Sequence, residues 1–336
     1  MRRIIIFVML TVVACLPKYA NAQVDPHFSQ YYAYPLWLNP ALTGVIDGDY
    51  RITGNYRSQG TNIGHPYSTT GVSFDAATQK NIGVGINALN MSAGEAGFNY
   101  FNAMASVSYS GVKFGSEKTQ QIVFGVQAGL INRRVDQTKF QLGSQYNPVS
   151  GFDPNIPSGE TLKSTSSTVF DASVGAMYFD GNPNHMFNPF AGVAAAHLTQ
   201  PEDPFVAEDQ DTRNMPIRYL VHGGTRIKLN DMVGLTPHAL YMRQGNSEET
   251  VVGVYAQVKV NPEFDLLGGV NYRLKDAAVP FAGFHYKSFT LGLSYDANAS
   301  NYRRFQNTNN AFEISLSFIG RKRRMLEPEY FICPRL

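Results

Sequence analysis

Residues 121–132 read QIVFGVQAGLIN. Ile122, Phe124, Val126, Ala128 and Leu130 fall on one face of an extended chain, and Gln121, Gln127 and Asn132 are among the other positions. Alternation of period 2 marks a strand whose two faces meet different surroundings. The stretch outruns the roughly 5 to 6 residues of a usual soluble strand and matches the roughly 9 to 11 that cross an outer membrane.

The same period extends in both directions. Towards the N-terminus it gives Tyr50, Ile52, Gly54 and Tyr56, then Thr70, Val72, Phe74 and Ala76, then Ile82, Val84, Ile86 and Ala88, then residues 98–111. Towards the C-terminus it gives 168–179, 187–198, 216–229, 232–244, 250–260, 264–274, 279–287, 289–297 and 311–320. No amphipathic helix longer than two turns interrupts the series. With 121–132 included the candidates number fourteen. An even count predicts an all-β, transmembrane antiparallel β-barrel with both termini in the periplasm.

The links between strands test that orientation. Those at one end fall at 77–81, 112–120, 180–186, Asn230-Asp231, 261–263 and around Ser288. Those at the other fall at 57–67, 90–97, 133–167, 199–215, 245–249, 275–278 and 298–310, and include the three longest. Long links belong outside the cell and short ones in the periplasm.

Composition agrees with a barrel. Of 336 residues only 16% are charged, against about 25% in an ordinary soluble domain, while 12% are aromatic. A net charge of +2 excludes a chain organised around polyanions, so no nucleic-acid partner is expected. Two cysteines exclude a disulfide scaffold and a Cys-ligated zinc module. Beyond residue 16 no apolar run approaches the roughly 20 residues of a membrane-crossing helix. On the lipid face a charge would cost about 2 to 4 kcal/mol at mid-bilayer. Arg51, Arg218, Arg226, Lys228, Arg243, Lys259 and Arg273 are therefore predicted to point into the lumen. Tyr50, Tyr100, Phe101, Tyr109, Tyr178, Phe179, Tyr286 and Tyr295 cluster near strand ends, where an aromatic girdle would lie. Gly83, Gly85, Gly125, Gly129, Gly253 and Gly292 suit the close backbones and bends of a barrel.

The first 22 residues have the form of a secretory signal: Arg2 and Arg3, an apolar core from Ile4 to Ala14, and Ala20-Asn21-Ala22 before Gln23. Cleavage near Ala22/Gln23 would discard Cys15 and leave Cys333 as the one thiol; the alternative is a lipoprotein signal ending at Cys15. The expected organisation is signal peptide 1–22, a periplasmic or luminal segment 23–47, an outer-membrane barrel 48–320 and a basic periplasmic tail 321–336.

The segment QVDPHFSQYYAYPLWLNPALTG (23–44) is broken by Pro26, Pro35 and Pro40, yet His27, Phe28, Tyr31, Tyr32, Tyr34, Leu36, Trp37 and Leu38 are too apolar to be left in water. It is read as ordered, either a plug in the lumen or a dock for a periplasmic partner. After the last strand, Arg321, Lys322, Arg323 and Arg324 are followed by Tyr330, Phe331, Ile332 and Cys333, a pattern that predicts docking onto a periplasmic lipoprotein. The long links carry Asp136, Asp153, Glu160, Glu202, Asp203, Glu208, Asp209 and Asp211 without the spacing of an EF-hand loop, so no metal is expected. The seven His are scattered and no GxSxG, HExxH, Walker or dinucleotide motif occurs. Neither catalysis nor a cofactor is expected; a hydrolytic site assembled across the barrel is the enzymatic alternative.

The 23–44 block resembles the PorP/SprF family of outer-membrane proteins of the type IX secretion and gliding apparatus of Bacteroidetes. The similarity continues in order through NYRSQ (55–59), GHPYSTTGVSFD (64–75), GVGINALN (83–90), GFDPNIPSGE (151–160), PIRYLVHGG (216–224), LTPHALYMRQG (235–245), DAAVPFAGFHY (276–286), LGLSYD (291–296), EISLSF (313–318) and CPR (333–335). It implies a 14-stranded barrel that works with the secretion machinery and helps to export, or hold at the surface, a secreted adhesin or other cargo. Outer-membrane lipid, that cargo, a periplasmic lipoprotein and other secretion subunits are the partners implied. The alternatives are an outer-membrane porin or solute channel and a secreted β-sandwich.

Overall fold

The alternation carries directly into the sheet. In the computed structural model, strands β1 (Tyr50–Gln59), β2 (Tyr67–Ala77), β3 (Ile82–Ala93), β4 (Phe98–Phe114) and β5 (Gln120–Arg134) form successive antiparallel hairpins. A two-stranded hairpin, β6 (Tyr146–Asn147) and β7 (Gly151–Phe152), stands apart in the longest link. The wall resumes with β8 (Ser166–Asp180), β9 (Phe187–Ala196), β10 (Arg218–Lys228), β11 (Val233–Gln244), β12 (Ser247–Asn261), β13 (Phe264–Arg273), β14 (Ala277–Tyr286), β15 (Phe289–Asn298) and β16 (Ala311–Gly320). β1 pairs with β16 from Tyr50↔Gly320 to Gln59↔Ala311, which closes a barrel of fourteen strands. Closure removes the unpaired edges that an open sheet would expose to lipid. The structure describes residues 25–321 apart from 61–65, 79, 95–96, 116, 140, 142, 148–150, 154, 157–163, 203–204, 206–213 and 299–309. The signal-peptide expectation falls outside them.

The two faces sort as the period requires. In β5, Phe124, Val126 and Leu130 are each more than half exposed on the outer surface, whereas Val123 and Ile131 are fully buried towards the lumen. Ile52, Val72, Phe74, Val84 and Ile86 continue the outer apolar belt. No helix among the described residues is long and apolar enough to cross a membrane. All seven hairpin or loop connections between barrel strands that include the longest links, 135–165, 197–217 and 299–310 among them, lie at one end. The other end has the connections 78–81, 115–119, 181–186, 229–232, 262–263 and 287–288. These are called the long-loop and short-turn ends.

Two expectations need correction. Tyr100 and Phe179 do not join an outer girdle; both are buried in the lumen, because each neighbours a residue of opposite facing, Phe101 and Tyr178. Arg243 faces outward beside Tyr219, since the inward set of β11 is His238, Leu240, Met242 and Gln244. It sits one residue from the strand end and donates from Nε to the Gly245 carbonyl at 3.3 Å, away from mid-bilayer. β1 begins and β16 ends at the short-turn end, and Asp25 is bound at the long-loop end; the two termini themselves lie outside the described residues.

Candidate functional site

Residues 25–46 thread the lumen from the long-loop end to the short-turn end. Local chemistry breaks this segment into short turns instead of a strand or helix. Single turns at Tyr31–Ala33, Pro35–Leu38 and Pro40–Leu42 follow one another, with Pro35 and Pro40 at the first position, where the missing N–H is no loss. Asn39 caps the last turn, its Oδ1 accepting from the Ala41 N–H at 2.9 Å. Its Nδ2 donates to the Ala176 and Val193 carbonyls of the wall, both at 3.2 Å. One side chain thus caps the start of a turn and fixes it to two strands.

At the long-loop end the segment is held by charge. Arg57 Nη2 meets Asp296 at 2.8 Å and its Nη1 meets Glu313 at 3.3 Å, while Arg273 Nη2 meets Asp296 at 2.6 Å. Glu313 accepts from the backbone N–H groups of Ser29 and Gln30 at 2.7 and 2.9 Å, and the Ser29 hydroxyl donates to Asp296 at 2.7 Å. Two guanidinium groups, two carboxylates and the plug backbone therefore form one buried network in which each charge meets an opposite one, the condition for burying ions.

A second cluster fixes Asp25. Its Oδ2 lies 2.6 Å from His197 Nε2 and 2.9 Å from Arg218 Nη1, and His197 Nδ1 lies 2.8 Å from Asp171. The Arg218 guanidinium also covers the Trp37 ring at 4.4 Å. Asp25 and His197 lie outside the strands. Burial pushes Asp25 up, but His197 and Arg218 outweigh it and hold the carboxyl down at about 2. Burial pushes His197 down, but Asp25 and Asp171 outweigh it and hold the imidazole up at about 9.

Mid-lumen, aromatic packing takes over. Tyr32 packs on Tyr255, Phe281 and His238, and the Tyr31 hydroxyl bonds to His238 Nδ1. The Tyr34 hydroxyl lies 2.9 and 2.8 Å from the Val72 and Ala88 carbonyls. Beside Tyr32 the lumen keeps a small pocket lined in part by Pro35, Leu42, Arg51 and Thr53.

At the short-turn end, close backbone approach holds the segment. Gly83 lies under Thr43, Gly125 under Pro40 and Ala41, and Gly175 under Asn39; a Cβ at any of them would overlap the segment. Thr43 Oγ1 donates to Ser106 at 2.9 Å, and the Gly44 N–H donates to Asp75 at 2.8 Å. Arg51 closes this end with bonds to Asp75 at 2.8 Å and to the Leu42 carbonyl at 3.1 Å.

The residues singled out in the sequence divide accordingly. Phe28, Tyr31 and Tyr32 are buried against the wall, Trp37 donates to the Pro26 carbonyl at 3.2 Å, and His27 Nε2 lies 3.9 Å from Glu249. The described part of this block, residues 25–46, lies in the lumen, and these side chains are engaged within the chain. Arg321 pairs with Asp47 at 2.7 Å. Lys322, Arg323, Arg324, Tyr330, Phe331 and Cys333 lie outside the described residues. Arg51, Arg218 and Arg273 point inward as expected, and Arg226, Lys228 and Lys259 line a luminal pocket. Arg57, Asp75, Asp171, Asp296 and Glu313 were not singled out, although each occupies an inward position of an alternating strand. Strand parity was the signal that could have found them.

Over residues 20–318 the chain matches the family described as type IX secretion system membrane protein PorP/SprF. The chain belongs to the PorP/SprF family. Its fourteen-stranded barrel and its family together place it in the outer membrane as a component of that secretion system. Among solved structures it is similar to the CymD monoaromatic hydrocarbon channel, at 11% identity and a TM-score of 0.50, over 87% of this chain and 94% of that one. It is also similar to the Pseudomonas putida toluene transporter TodX, at 11% identity and a TM-score of 0.49, over 88% and 94%. At such identity the likeness to CymD speaks to the fold alone. No curated protein matches the chain.

Proposed function

We propose that this PorP/SprF protein is a plugged, non-enzymatic barrel that binds a secreted adhesin or other cargo and helps to export it or hold it at the cell surface. The observation that carries this reading is the filled lumen. A segment locked by two buried ion clusters and by glycine-floored contacts suits a scaffold better than a solute pore. The orientation follows the link lengths: the long-loop end faces outward and meets cargo, and the short-turn end faces the periplasm. There the basic tail from Arg321 onward is the proposed dock for a periplasmic lipoprotein of the machinery.

Co-purification from outer membranes under mild detergent tests the reading, with the intact chain compared to one lacking residues 322–336. The intact chain should bring down a large secreted surface protein and a periplasmic lipoprotein, and the shortened chain should lose the lipoprotein. Recovery of the barrel without any secreted protein would contradict cargo binding. Unchanged lipoprotein recovery on truncation would remove the tail from the account.

A further inference from the structure

The small pocket beside Tyr32 runs from mid-lumen to the short-turn end, where Ile46 and Asp47 on the plug side and Ile319 of β16 line it. Deeper in, its lining includes Leu42 of the plug, Leu267 of β13 and Phe281 of β14. Leu267, Phe281 and Ile319 share the parity of Asp265, Val279 and Glu313, the buried inward residues of their strands, so the wall turns an apolar face to this pocket. Much of the polar lining is already engaged: Arg51 with Asp75 at 2.8 Å, Thr53 with Ser73 at 2.5 Å, His285 with Thr290 at 2.9 Å and Ser315 with Gln30 at 2.9 Å. The space left is about 120 Å³, near the roughly 150 Å³ in which an apolar cavity takes up a benzene ring. It fits one aromatic ring and excludes a helix or a folded partner.

The chain itself supplies such a ring within reach. Arg321 directly follows β16 and binds Asp47, its Nε donating to the Asp47 carbonyl at 3.2 Å and its Nη2 to the carboxylate at 2.7 Å. Because Asp47 and Ile319 both line the pocket, the chain leaves the barrel at the pocket's mouth. Phe331 comes ten residues after Arg321, within the apolar run Tyr330-Phe331-Ile332. That length of chain spans up to about 33 Å, ample for a return to the mouth, and Pro328 between them favours a turn over a continuous helix. Of the two rings, Phe331 has no hydroxyl that needs a partner. We propose that residues 322–336 fold back on the barrel and seat the Phe331 ring in this pocket. Lys322, Arg323 and Arg324 then stay in water at the mouth, open to a periplasmic partner, and the seating itself requires neither cargo nor lipoprotein.

Cys333, two residues beyond Phe331, provides the test. A disulfide requires Cα atoms about 4.4 to 6.8 Å apart, so a second cysteine in the lining reports where the tail lies. Ser317→Cys puts one in the pocket lining, and Lys80→Cys puts one on the exposed turn 78–81 at the same end, outside the lining. Each full-length barrel is purified in detergent and oxidised with copper phenanthroline, and the linked peptides are followed by mass spectrometry. A heat-modifiable gel shift confirms that each variant is folded. A tail that wandered freely would meet both positions at similar effective concentration, whereas a seated one should link Cys333 to the Ser317→Cys position about tenfold faster than to the Lys80→Cys position. Adding Phe331→Ala should bring the two rates together. Equal rates in the chain with Phe331 intact, or a preference that survives Phe331→Ala, would overturn the proposal. Links formed only between two chains would also overturn it, and would give the pocket to the tail of a second copy.

Discussion

At the long-loop end of the lumen, residues 25–30 are held by Arg57, Arg273, Asp296 and Glu313 and by the Asp25–His197–Asp171 cluster. At the short-turn end, residues 39–44 are held by contact with Gly83, Gly125 and Gly175, supported by uncharged hydrogen bonds and by Arg51–Asp75. The two anchors obey different physics. A buried ion network is stiff but fails when one member is removed, because the remaining charge is left without a partner. A glycine-floored contact has no charge to strand and fails only by overpacking.

That contrast can be broken from either side. Arg57→Ala should have the largest effect, about 3 to 5 kcal/mol of lost stability, because Asp296 and Glu313 lose a shared partner in a buried site. Urea unfolding followed by gel mobility measures it; a loss below about 1 kcal/mol would reduce the network to the standing of a surface pair. Gly125→Leu should follow at about 1 to 3 kcal/mol and should displace Pro40 and Ala41, leaving residues 39–44 open to proteolysis. Gly268→Ala is the control, since a Cβ there has nothing within 4 Å. Protection of the segment in the Gly125 variant would show that close approach is not what seats it.

The smallest effect expected is a pH response confined to the charged end. His197 is raised in the folded state, so its stabilisation is complete below the ordinary imidazole value of about 6.5 and is lost as pH rises through about 9. Asp25 is lowered, so its stabilisation is present above about 4 and is lost only as pH falls through about 2. Trp37, the single tryptophan, lies against Arg218 of the same cluster and reports on it. Its emission should shift with a midpoint near pH 9, and His197→Asn should abolish the shift. A flat titration, or one unchanged in that variant, would separate His197 from the anchor.

Much of the wall was legible because period 2 leaves little freedom: a strand with Phe124, Val126 and Leu130 on one side can face lipid in only one register. Strand ends were less legible, since β4 runs to Phe114 and β12 starts at Ser247, where pairing with neighbours extends them past their apolar positions. The segment 25–46 could be read as ordered from its aromatics, but not placed, because most of its partners are far away in sequence, as with Ser29 and Glu313, 284 residues apart. Arg57 and Glu313 looked like isolated charges until closure of β1 on β16 set them side by side at Arg57↔Glu313. Gly125 looked like a bend and proved to be a floor. In each case the missing information was long-range pairing, which no local pattern carries.

Single-channel recording in planar bilayers tests the central claim, that residues 25–46 close the lumen, most directly. The intact barrel should show no large, stable open state, and a folded barrel lacking residues 25–46 should conduct steadily. Large open-channel currents from the intact protein, or identical closed behaviour after the deletion, would contradict the account.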